Sequence, residues 1–116
     1  MPILDKKDVT CEELSPGTER WSIVDGTKGA DSLSVGDVIL APDSVVPTHI
    51  HPTEEAMVIL DGELEALIGN QTVTVGVGQT VLAPPGVKHG FVNRSGMPAR
   101  LMAIFPTNKM ERTLVE

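Results

Sequence analysis

Tyrosine is missing from this 116-residue sequence, and two Phe and one Trp are its only other large aromatics. A core made without them has to be assembled from Val, Ile, Leu, Ala and Met. One cysteine, Cys11, excludes an internal disulfide, so no oxidising compartment is required. Lys and Arg form no cluster and the formal net charge is −7. That balance argues against nucleic acid and against an anionic membrane surface, both of which need a basic footprint. No apolar run approaches the ~20 residues of a spanning helix. The opening Met-Pro-Ile-Leu-Asp-Lys-Lys-Asp carries charge where a signal peptide would be apolar. Together these absences predict a cytoplasmic protein with a small-molecule partner, and neither nucleic acid nor membrane.

Turn signals recur at short intervals: Asp25-Gly26, Gly36-Asp37, Asp61-Gly62, Gly69-Asn70, Gly76-Val77-Gly78, Pro84-Pro85-Gly86 and Ser95-Gly96. Between them lie short stretches rich in Val, Ile, Leu and Thr, with no window suited to a core helix. This pattern predicts an all-β sandwich or barrel. In the stretch 63–68, Leu64, Ala66 and Ile68 share one face and Glu63 and Glu65 the other. Val73 and Val75 oppose Thr72 and Thr74 in the same way. Asp61-Gly62 reads as a hairpin turn between 55–60 and 63–68, and Gly69-Asn70 as the next tight turn. The length suits one domain. Residues 1–20, polar and containing Pro16-Gly17, read as an arm or edge strand ahead of a barrel over 21–116. The stretch 108–116 reads as a helical turn or a tail.

All three histidines fall within two short motifs. His49 and His51, two apart on a strand, can project to one face while Ile50 packs on the other. Glu55 opens the following strand, and His89 comes from a separate one. Three imidazoles and a carboxylate make a mixed nitrogen–oxygen site for one divalent transition metal, with Fe or Mn favoured and Ni, Co or Zn also suited. The adjacent Glu54 faces the other way and is expected in solvent.

These segments resemble the paired motifs of the cupin superfamily. The first is Gly, five residues, His-x-His, three or four residues, Glu, six residues, Gly. His49, His51, Glu55 and Gly62 match it, with Asp43 standing where the leading glycine belongs. The second is Gly, five residues, Pro-x-Gly, two residues, His, three residues, Asn, matched throughout by Gly78, Pro84, Gly86, His89 and Asn93. The resemblance runs from about Val35 to Phe105. It implies a single-domain jelly-roll barrel (a double-stranded β-helix) with His49, His51, Glu55 and His89 as metal ligands. It also implies a homodimer, with the N-terminal segment covering a sheet edge.

The functional expectation is a metal-dependent enzyme acting on a small chelating organic molecule. A dioxygenase or oxidoreductase is placed first, with Glu55 as catalytic base as well as ligand. An isomerase, lyase or decarboxylase stands as the alternative, and a non-catalytic ligand-binding barrel as another. Met57 shares the face of Glu55, and Phe91 that of His89, so both are candidates to line the pocket. Arg100 and Met102 are candidates too, provided their face of 99–105 turns inward. There Arg100 would take a substrate carboxylate; turned outward, it would meet solvent or a partner subunit. Asn93 is expected to orient backbone, and Cys11 has no basic neighbour in sequence to activate it.

Overall fold

The computed structural model describes residues 1–115 and contains eleven β-strands and two short 3-10 turns. The strands are β1 (Glu12–Ser15), β2 (Thr18–Val24), β3 (Ser34–Leu40), β4 (Val45–Ile50), β5 (Glu55–Asp61) and β6 (Glu63–Ile68). They continue with β7 (Gln71–Gly76), β8 (Thr80–Ala83), β9 (His89–Val92), β10 (Ala99–Phe105) and β11 (Thr113–Leu114). A six-stranded sheet has the order β1-β2-β3-β10-β5-β8, and a five-stranded sheet has β11-β4-β9-β6-β7. Every pairing is antiparallel, and successive strands often lie in different sheets, as a jelly roll requires.

Between the sheets lies an aliphatic core: Leu40, Met57, Ile59 and Leu64 are each at most 2% exposed, with Phe91 and Phe105 as its aromatics. Each such side chain contributes about 1.5–3 kcal/mol on burial. The alternation expected for β6 is present, since Leu64 and Ala66 are buried while Glu63 is exposed. Across from them Val75 is buried, but Val73, on the edge strand, is not.

Gly69-Asn70 does join a hairpin, with β6 and β7 in register from Leu64↔Val75 to Ile68↔Gln71. Asp61-Gly62 does not. Here the chain passes from one sheet to the other: β5 pairs with β10 and β8, whereas β6 pairs with β9 and β7. Gly62 has φ +77°, and a Cβ there would stand 2.6 Å from the Pro98 carbonyl oxygen. A local Asp-Gly signal specifies a sharp change of direction, but not which neighbours each strand then finds.

The expected break between residues 20 and 21 falls inside β2, which pairs with β3 through Thr18↔Leu40, Arg20↔Val38 and Ser22↔Gly36. Thr18 is fully buried, and its hydroxyl, like that of Ser15, donates to the Val45 carbonyl in the opposite sheet. The polar run Glu19-Arg20 disguised a strand. The C-terminal stretch forms β11 instead of a helical turn, pairing Thr113 with Ile50 and Leu114 with His49; Glu116 lies outside the described residues. Two residues are too few for periodicity to reveal.

Two polar residues hold the frame. Asn93, fully buried, donates from Nδ2 to the carbonyls of Leu40 (3.0 Å) and Met97 (2.7 Å) and accepts from the Ser95 amide. Asp43, at the position where the family motif has glycine, has φ 66°, and among the described residues no other non-glycine has a positive φ. The backbone shape persists although the residue has changed, since Asp tolerates this region better than most.

On the outer face of the larger sheet, Asp37 is 1% exposed and accepts a two-pronged contact from Arg100, Nε–Oδ1 2.9 Å and Nη2–Oδ2 2.8 Å. Lys6 adds a third contact at 2.9 Å. Burial alone would raise the Asp37 pKa, but Arg100 and Lys6 outweigh it and hold the carboxyl below 3.8. Because the folded pKa is the lower one, this stabilisation is complete above the unfolded value and is lost as pH falls through the folded one. Asp37→Asn should cost about 1–3 kcal/mol at neutral pH. Urea unfolding checks this, and the gap between wild type and variant must narrow in acid; an equal gap at pH 7 and pH 3 would contradict the assignment.

Candidate metal centre

His49 lies on β4 and faces His89 on β9 directly across the smaller sheet. His51 follows one residue after β4 ends, and Glu55 begins β5 in the larger sheet. The group therefore bridges both sheets. All four residues are at most 5% exposed, and one potential ligand atom from each lies within 4.8 Å of the others. Phe105 meets the His51 ring edge-on, with centroids 4.8 Å apart.

Each imidazole is aimed by a backbone carbonyl. His49 Nδ1 contacts Pro47 O at 2.6 Å, His51 Nδ1 contacts Glu111 O at 2.6 Å, and His89 Nδ1 contacts Val87 O at 2.9 Å. A carbonyl only accepts, so each Nδ1 carries a proton, and Nε2 is the atom each ring has for a metal once it carries no proton there. His51 Nε2 lies 3.2 Å from Glu55 Oε1 without hydrogen-bond alignment, and it has no other partner among the described residues. Two electron-rich atoms facing each other in a buried site are unfavourable unless a cation sits between them. His89 Nε2 lies 2.8 Å from the same Oε1, a contact that requires a protonated ring. A metal would displace that proton. The donor set, its burial and its fixed tautomers fit a divalent ion.

The electrostatics agree. Burial pushes the His49 pKa down to about 4, with His89 and His51 adding to the shift. For Glu55 burial opposes ionisation, but contacts with His51 and His89 outweigh it and lower its pKa below 4.5. Burial also opposes charge on His89, and the Glu55 carboxylate outweighs it and raises the His89 pKa above 6.5.

His49, His51 and Glu55 open on a cavity of about 620 Å³ whose surface is mostly apolar, with Val38, Val46, Leu101 and Phe105 in its wall. Met57 and Phe91 line it as well. Arg100 and Met102 do not. Along β10 it is Leu101, Ala103 and Phe105 that turn inward, which puts Arg100 against Asp37 outside and Met102 on the same outer face. Both faces of this strand carry apolar residues, so alternation by itself did not choose between them. Glu54 is exposed, as expected. Among the cavity residues that sequence reasoning missed are its three cations, Arg20, Lys109 and Arg112. Arg20 shares its face of β2 with Ser22 and Val24, which also line the cavity, and this period-two run was the available signal.

Two consequences for metal affinity can be measured. Protons compete at His89, so Mn(II) affinity should fall about tenfold per pH unit below the raised His89 pKa; His49 stays neutral down to about pH 4. A flat profile between pH 8 and pH 5 would refute the arrangement. Ending the chain after Met110 removes the carbonyl that orients His51 and should weaken Mn(II) binding about 10–100-fold. Glu111→Ala keeps that carbonyl and should bind as wild type, both by competition with a fluorescent chelator.

A cupin domain family profile matches residues 36–105. The polyketide synthase protein CurC of Streptomyces cyaneus is 27% identical over 101 residues, spanning 86% of this chain and 66% of CurC. The polyketide cyclase RemF of Streptomyces resistomycificus superposes with a TM-score of 0.85 at 24% identity, covering 100% of this chain and 86% of RemF. Bacillus subtilis oxalate decarboxylase, a protein with Mn(II) centres, gives a TM-score of 0.85 at 19% identity, over 95% of this chain and 31% of that one. With its two-sheet jelly roll, its paired histidine motifs and a profile match over more than half its length, this chain belongs to the cupin family.

Proposed function

We propose that the protein is a metal-dependent enzyme that cyclises or otherwise rearranges a small polycarbonyl substrate through its enolate. The observation that carries this reading is the convergence of three carbonyl-aimed imidazoles with Glu55, of which His49, His51 and Glu55 line a largely apolar cavity. The similarity to CurC, and the fold shared with RemF, favour enolate chemistry over the dioxygenase reading. A divalent ion held by His49, His51, Glu55 and His89, with Mn or Fe preferred, would supply Lewis acidity toward a carbonyl oxygen.

The chain's own residues do the rest. Both imidazole contacts to Glu55 fall on Oε1, which leaves Oε2 to accept a proton from the carbon beside the carbonyl. The carbon so released attacks a second carbonyl of the same molecule, forming a carbon–carbon bond, and the proton passes to the new alkoxide. With no tyrosine and no fourth histidine in the sequence, Glu55 is the base best placed for this work. Met57, Phe91 and Phe105 exclude water and press a flat substrate into position.

Deuterium exchange at the central carbon of 1-phenyl-1,3-butanedione, followed by proton NMR in D₂O, tests the reading. Mn(II)-loaded wild type should accelerate it, with Glu55→Gln and His49→Ala each losing about 100-fold or more. Oxygen uptake without exchange would overturn it in favour of dioxygenation.

We also propose a homodimer, formed through the outer face of the larger sheet, where Ala56, Val58, Met102 and Ile104 are half-buried cross-strand neighbours. Sedimentation velocity should give twice the 12.3 kDa chain mass. Met102→Glu should halve it, and a wild-type monomer at micromolar concentration would exclude this interface.

A further inference from the structure

Arg20 is the one cavity cation on a strand of the larger sheet, whereas Lys109 and Arg112 come from the C-terminal stretch. Its side chain is only 17% exposed. Nε is buried and has no hydrogen-bond partner among the described residues. Its Nη2 lies 3.4 Å from both oxygens of Glu12, at the outer limit of a hydrogen bond. That carboxylate is 54% exposed and sits on the edge strand β1, so a competing anion can displace it. The arginine stem crosses the backbone of Gly36, where a Cβ would stand 3.4 Å from its Cδ. A guanidinium in the wall of this cavity, among Ser22, Asp25 and Ser34, with a donor unused and its other contacts loose, is arranged to receive something.

Its position says what. In the strand order β2-β3-β10-β5, Arg20 lies three strands from Glu55. At about 4.8 Å per step this is about 14 Å across the strands; through Val38 and Leu101 the register sets Arg20 level with Ile59, a further four residues, about 13 Å, along β5 from Glu55. Met57, Val38, Leu101 and Phe91 line the same cavity. A ligand held here would have a polar end toward the histidines, an apolar body and an anionic end toward Arg20. The planar guanidinium fork matches a carboxylate.

We propose that Arg20 is the substrate-binding residue that selects an organic acid, pairing with its carboxylate in place of Glu12. This deepens the enolate reading by naming the substrate class, and it rests on that reading only in taking this cavity as the substrate site.

Benzoate and its neutral isostere benzamide are the probes, titrated against the Mn(II)-loaded full chain by isothermal calorimetry. Wild type should prefer benzoate by about tenfold or more. Arg20→Gln should abolish the preference and leave benzamide affinity unchanged. Glu12→Gln, which frees the guanidinium, should tighten benzoate binding several-fold, and this gain keeps the test decisive if Arg20→Gln folds poorly. Benzoate preference that survives removal of Mn(II) would uphold the anion site even if the exchange assay failed. Equal affinity of wild type for the two probes, or no binding of either, would overturn the proposal. So would a preference unaffected by Arg20→Gln and lost with the metal, which would place the carboxylate on the ion and leave the metal reading standing.

Discussion

Three hydrogen bonds from imidazole Nδ1 to backbone carbonyls are the constraint around which this site is organised. Each fixes a tautomer, and together they turn the Nε2 lone pairs of His49, His51 and His89 toward one point beside Glu55. Two of the carbonyls, Pro47 and Val87, lie two residues before the histidine they orient, so the strands carry their own aiming device. The third belongs to Glu111, sixty residues away from His51. The C-terminal stretch just ahead of β11 is thus part of the centre, although Glu111 itself is exposed.

The same two-residue period that gathers the ligands also sorts the charges. Asp37 and Arg100 meet outside the larger sheet, while Arg20 lines the cavity within it. An arginine on either face is sterically acceptable; what distinguishes them is the partner. Arg100 finds a buried carboxylate in a two-pronged contact, and Arg20 finds only a loose contact with an exposed one. A satisfied guanidinium stabilises the fold, whereas an unsatisfied one in a cavity is available to a ligand.

Much of this was legible in the chain. The turn dipeptides and alternating stretches gave an all-β protein, and the spacing of His49, His51, Glu55 and His89 marked the four residues that the fold brings together as a group able to hold a metal. What stayed open or went astray has a common origin. Asp61-Gly62 read as a hairpin, residues 1–20 as an arm or edge strand, and Arg100 as facing either the pocket or the outside, because local pattern does not report which sheet a strand joins or which of two apolar faces is inside. Arg20 was hidden for the same reason, lying in a polar stretch set apart from the barrel.

What the sequence determined by itself was the chemistry: which residues can ligate a metal, how far apart they sit and how often the chain must turn. Those properties follow from side-chain type and backbone periodicity, both of which are local. The tertiary structure alone decided that β5 and β6 part company, that Glu111 orients His51 and that Arg20 rather than Arg100 enters the cavity. Such choices depend on contacts between residues distant in the chain, where strand order and the demand for buried polar groups to find partners settle what alternation leaves open.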